Sequence, residues 1–174
     1  MKIGITGAHG VGKTTLVNIL GELLPYHTVC IESARWVKSL GVDINETAGI
    51  ATQHLVMAKY EFDLYSYDNI ITDRTVLDGL VYTKWLHEAG SVDDLTMKYI
   101  EHKYEELIDK YDVIFYIRPE FDIEDDGVRS TSKQFQDTIV ELFDEVIYRD
   151  NLKVVNLTGS VEDRINLIKN ILKI

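Results

Sequence analysis

A three-layer α/β fold, doubly wound around a parallel five-stranded sheet, is what the sequence predicts, on three observations. Short β-branched or aromatic runs recur at Lys2 to Thr6, Thr28 to Ile31, Asn69 to Thr72, Val113 to Ile117 and Lys153 to Leu157, each of strand length. Longer stretches with helical periodicity separate them, the alternation that parallel strands need because every return crosses a face of the sheet. The runs are almost continuously apolar, as strands covered on both faces are.

Taken in order, the first run leads into a glycine-rich turn at Gly7 to Gly12, with a helix predicted to start near Lys13. Ser91 with Asp94, and Ser160 with Asp163, read as capping boxes. The second opens a helix whose apolar stripe is Val161, Ile165, Ile168 and Leu172. With only Pro25 and Pro119 as prolines, and no low-complexity stretch or internal repeat, residues 1–174 read as a single domain. Beyond the fourth run, residues 119–133 carry Pro119, several carboxylates and Arg129, and read as a lid.

The formal net charge of −11, from 29 acidic against 18 basic residues, repels polyanions, so a nucleic-acid partner would need a local basic groove. Cys30 is the one cysteine, which excludes an intrachain disulfide and a cysteine-rich zinc site and suits the cytoplasm. No signal-peptide pattern and no apolar run of membrane-spanning length occurs, so no membrane association is expected.

Chemistry enters at Gly7-Ala8-His9-Gly10-Val11-Gly12-Lys13-Thr14, which fits GxxxxGK[ST] between a strand and a helix, the phosphate loop or Walker A motif. Gly7, Gly10, Val11, Gly12, Lys13, Thr14 and Thr15 are therefore the expected contacts of ATP, with Lys13 on the β- and γ-phosphates and Thr14 a ligand of Mg²⁺. His9 is expected near the phosphates as a loop residue. At the carboxyl ends of the second and third runs stand Glu32 with Arg35 and Asp73 with Arg74, where ligands of doubly wound sheets bind. Such pairs suit phosphoryl transfer: a carboxylate holds metal or takes the acceptor proton, and an arginine neutralises the moving charge.

The loop together with Asp73-Arg74 resembles the thymidylate kinase and deoxynucleoside kinase group of P-loop kinases. Glu32 and Arg35, with Asp125-Asp126-Gly127-Val128-Arg129 later, resemble the AAA-like ribosylnicotinamide kinase and small phage-encoded nucleotide kinases, whose setting would be the host cytoplasm. That resemblance implies Glu32 as base or acceptor-orienting residue, Asp73 as a Mg²⁺-linked acid, Arg35 and Arg74 as phosphate-side contacts, Arg129 as a lid arginine, and Asn156 to Ser160 around the adenine. Trp36, Tyr60, Phe62, Tyr65, Tyr82 and Trp85 fall where the acceptor would sit, with Gln53 and Gln134 able to read a base edge. The expected activity is γ-phosphoryl transfer from ATP to a small-molecule acceptor, a nucleoside or (deoxy)nucleoside monophosphate. Two alternatives are a phage-type kinase acting on 5-hydroxymethyluracil in DNA and a nucleotide-dependent regulatory switch. No guanine-reading Asn-Lys-x-Asp follows a strand, which argues against a GTPase.

Overall fold

The computed structural model describes residues 1–120 and 132–174. Strands β1 (Lys2–Thr6), β2 (Thr28–Cys30), β3 (Ile70–Asp73), β4 (Val113–Ile117) and β5 (Val155–Leu157) form one parallel sheet in the order β2-β3-β1-β4-β5. This is the predicted doubly wound sheet. The three central strands are buried along nearly their whole length, whereas the edge strands β2 and β5 each bury a single residue fully. The central strands therefore read as unbroken apolar runs, with Ile3, Ile5, Ile70, Ile71, Phe115 and Ile117 all at 0 % exposure.

Strand ends differ from the sequence reading where another element claims the residue. Strand β2 stops at Cys30 because Ile31 faces solvent and Glu32 already caps helix α2 (Ser33–Ser39). Strand β3 runs on to Asp73, which pairs with Ile5 of β1. That register carries the Asp73 carboxylate to the start of the glycine turn.

Helices α1 (Lys13–Leu23), α3 (Ile50–Ser66), α4 (Val76–Glu88), α5 (Asp94–Leu107), α6 (Lys133–Arg149) and α7 (Val161–Leu172) cover the sheet. The capping box of α7 is present as expected, Ser160 Oγ accepting from the Asp163 amide at 3.2 Å. The cap of α5 is Asp93 rather than Ser91. The Ser91 amide still donates to the Leu86 carbonyl at 2.8 Å, closing the end of α4, so the new helix starts two residues later. In the α7 stripe Ile165 and Ile168 are buried, but Val161 is exposed and Arg164 takes the inner place of the first turn. Ser132 caps α6, so the last residue of the expected lid is already helical.

Helix α4 is buried on most of its surface, Asp78 and Thr83 included. It packs closely on α3: a Cβ on Gly79 would lie 3.1 Å from Met57 Cε and 3.4 Å from Tyr60 Cε2. Among the described residues no helix is long and apolar enough to cross a membrane.

Candidate active site

The glycine turn after β1 is held by close contacts on every side. Gly7 has φ 140° and a Cβ there would meet the Ile117 carbonyl oxygen at 2.3 Å, so no other residue fits without moving β4. Gly12, at φ 88°, is the left-handed N-cap of α1 and gives no side-chain cap, which leaves the first amides of the helix to an outside acceptor. Lys13 Nζ donates to the carbonyls of Gly7 and Ala8 at 2.8 and 2.6 Å. Gln136 Nε2 holds the His9 carbonyl at 2.6 Å and Arg164 Nη1 the Val11 carbonyl at 3.0 Å. Because C=O and N–H of a trans peptide point in opposite directions, holding these carbonyls aims the Gly10 and Gly12 amides. Lys13 is buried, and burial, then the charge of Arg74, pull its pKa from 10.5 to about 7.

His9 lies on the side of the loop that meets α4 and α6. It is buried, its ring stacks on Phe135 at 5.0 Å between centroids, and its amide donates to Tyr82 Oη at 3.1 Å, so it packs the loop against α4 and α6.

Thr14 Oγ1 donates to Asp73 Oδ2 at 2.6 Å. Asp73 Oδ1 is buried with no hydrogen-bond partner among the described residues. Burial raises the Asp73 pKa, an effect that Lys13 opposes. A buried carboxylate oxygen without a donor is unfavourable by about 1–3 kcal/mol, and a hydrated cation beside it removes that penalty. One carboxylate and one hydroxyl suit Mg²⁺, which keeps several waters and takes other ligands from phosphates. No group of three or more His, Cys, Asp or Glu side chains able to hold a metal occurs among the described residues.

Beside this corner lies a buried charge network. Arg74 Nε donates to Glu32 Oε1 at 2.6 Å, Arg74 Nη1 to Asp78 Oδ1 at 3.4 Å, and Arg35 Nε to Glu32 Oε2 at 3.1 Å. The guanidinium of Arg74 also lies over the Tyr82 ring, 5.1 Å from its centroid. Its backbone has φ 81°, a conformation that is unfavourable by about 1–3 kcal/mol in a residue with a side chain. The amide of Arg74 donates to the Ile5 carbonyl at 2.9 Å, which helps to hold that geometry. Asp78 Oδ2 accepts from Thr6 Oγ1 at 2.5 Å and from the Thr75 amide at 2.8 Å, completing the capping box of α4. Lys13 feels Arg74, Asp78, Asp73 and Glu32 together, so the loop, the Thr14–Asp73 corner and the network are one cluster.

The network opens on a cavity of about 50 Å³ bordered by Ala34, Gln53, Tyr60, Arg74, Asp78 and Tyr82 among others. About 10–15 Å³ on that measure holds one water, so the cavity holds a few and must widen for a nucleobase. Of the expected acceptor residues, Gln53, Tyr60, Tyr82 and Arg74 line it. Trp36 does not. It packs on the core, because α2 turns Ala34 to the cavity and a residue two positions on is rotated by about 200°. Phe62 and Tyr65 are exposed, Trp85 packs edge-on against Phe135, and Gln134 is exposed while Gln136, two residues on, is buried. Thr15 is exposed at the start of α1. Arg129 and the rest of the expected lid from 121 to 131 lie outside the described residues.

Three residues of the site were not singled out in the sequence: Asp78, Gln136 and Arg164. Asp78 had a signal, since Thr75-Val76-Leu77-Asp78 is a capping-box pattern directly after Asp73-Arg74. The other two reach the loop from distant helices.

A parallel sheet with this order, a GxxxxGK[ST] turn after its central strand and acids at the neighbouring strand end define a P-loop domain. More narrowly, residues 2–164 match the model of a family described as AAA domain, and the chain belongs to that family. Solved structures share the fold. Deoxyadenosine kinase from M. mycoides, with dCMP and a flexible dCDP bound as products, superposes with a TM-score of 0.71 at 19% identity, covering 99% of this chain and 98% of that one. NadR in complex with NAD and AMP-PNP gives 0.74 at 17% identity, covering 99% of this chain and 49% of NadR. Thymidylate kinase from Candida albicans gives 0.67 at 18% identity, covering 98% and 90%. No curated protein matches the sequence.

Proposed function

We propose that this chain is an ATP-dependent kinase that phosphorylates a hydroxyl of an uncharged nucleoside. The carrying observation is the single cluster in which Lys13 and the Thr14–Asp73 corner adjoin Glu32, Arg74 and the cavity. Structural likeness to deoxyadenosine, thymidylate and NadR proteins supports the class. Charge in the cavity favours a nucleoside over a monophosphate. Among the described residues that line the cavity Arg74 is the one cation, and it is already engaged by Asp78 and by Glu32, a carboxylate that Arg35 also holds from outside the lining. A phosphate ester entering there would bring further negative charge beside two buried carboxylates.

In the transfer, the acceptor oxygen bonds to the γ-phosphorus as the bond to the β–γ bridging oxygen breaks, and Glu32 receives the hydroxyl proton. Lys13 leaves its carbonyls to follow the phosphoryl group, and Arg74 faces the charge that develops on it. Thr14 and Asp73 would hold Mg²⁺, which neutralises the phosphate oxygens. Asp78 fixes Arg74 and the start of α4.

The test is ADP release by the purified chain with ATP, Mg²⁺ and, in turn, nucleosides, nucleoside monophosphates, ribosylnicotinamide and an oligonucleotide carrying 5-hydroxymethyluracil. Turnover with a nucleoside is expected. Turnover with monophosphates alone would leave the kinase standing and refute the charge argument, and no turnover with any acceptor would refute the kinase.

A further inference from the structure

Arg164 is an arginine at 2 % exposure in the first turn of α7, far in sequence from the loop it touches. Its Nη1 donates to the Val11 carbonyl at 3.0 Å and its Nη2 to Glu120 Oε2 at 2.9 Å. The same Glu120 oxygen accepts from the Gly159 amide at 2.9 Å. One guanidinium–carboxylate pair thus joins three segments: the phosphate loop, the chain just after β4, and the turn before α7. A Cβ on Gly12 would lie 3.8 Å from Arg164 Nη1, so the guanidinium forms the floor under that residue.

A buried cation is tolerated only when paired and hydrogen-bonded, and an aliphatic side chain in this place would fill the space as well. What the guanidinium adds is direction. Its planar fork serves two acceptors at once, and by fixing the Val11 oxygen it fixes the Gly12 amide of the same peptide, pointing the other way.

We propose that Arg164 is a positioning residue for the donor nucleotide: it orients the Val11–Gly12 peptide toward the phosphates and, through Glu120, couples that peptide to the Gly159 turn. The proposal rests on the loop being the donor site.

The test is calorimetric binding of MgADP to the full chain as wild type, Arg164→Met, Arg164→Lys and Glu120→Gln, with unliganded melting temperatures and the acceptor KM for each. Arg164→Met should weaken MgADP by about 10- to 100-fold, the range for losing a charged hydrogen bond, with the acceptor KM unchanged. Arg164→Lys should restore part of the affinity, because one ammonium reaches one partner but not both. Glu120→Gln should cost about 2- to 5-fold and should add nothing when combined with Arg164→Met. MgADP affinity within twofold of wild type in Arg164→Met would overturn the proposal, as would parallel loss of MgADP affinity, acceptor KM and melting temperature. Should Arg164→Met not fold, Arg164→Lys and Glu120→Gln decide it by the same split. A wild type that binds no MgADP would refute the donor reading itself.

Discussion

The glycine loop and the cavity each hold a buried basic side chain, in opposite ways. Lys13 rests on two neutral carbonyls, Gly7 and Ala8, and can leave them without exposing a buried charge. Arg74 is clamped between Glu32 and Asp78, and any departure would take from both buried carboxylates the cation they share. On the proposed function, the first side chain is placed to change partners during the reaction, and the second to keep the site's shape constant. Burial alone therefore does not tell a moving cation from a fixed one; the nature of its resting partner does.

Variants can break this comparison. Lys13→Ala should lower turnover by about 1000-fold or more, the upper range for removing one stabiliser of transition-state charge, while the unliganded melting temperature holds or rises. A melting temperature that falls with turnover would show that Lys13, like Arg74, is needed to hold the folded site together. Asp73→Asn should lower turnover by about 100-fold in steady-state kinetics, with metal-free nucleotide binding retained; equal loss of both would make Asp73 only a partner of Thr14. Arg74→Leu should reverse the Lys13 pattern, with a loss of about 3–5 kcal/mol in urea unfolding because Glu32 and Asp78 lose their shared partner. A loss below about 1 kcal/mol would show that the clamp is not fixed.

The subtlest expected effect is in protons. With its folded pKa of about 7 against an ordinary 10.5, Lys13 is mostly neutral in the empty loop at pH 8 and charged when phosphates reach it. Nucleotide binding at pH 8 should therefore take up close to one proton, read by calorimetry in buffers of different ionisation enthalpy. In the empty protein the unfolded chain binds the extra proton between pH 7 and 10.5, so this group's contribution to stability rises with pH across that window. Binding heats that do not depend on buffer would show that Lys13 keeps its proton throughout.

The sheet and the loop were legible in the sequence because each is written locally. Strands β1 and β4 appear with the bounds read from their apolar runs, and the GxxxxGK[ST] turn fixes its own backbone through glycine. Asp73, Arg74, Glu32 and Arg35 were found as strand-end residues and do converge. The cavity was only partly legible because its wall alternates between helices. Periodicity does not say which side of α2 faces inward, so Trp36 stood where Ala34 belongs. Gln136 and Arg164 were invisible for a different reason. Each holds a carbonyl more than a hundred residues away in sequence, and no local pattern marks such a contact.

The resting place of Lys13 also bears on what the empty protein ignores. On the proposed function, chloride or a single phosphate makes fewer contacts than a polyphosphate yet has to displace the same two carbonyls, Gly7 and Ala8, from the buried Lys13 amine. A polyphosphate chain laid along the loop meets the lysine and the uncapped amides of α1 together. Two carbonyl partners that every incoming anion has to displace would thus weight the loop toward long anions over short ones.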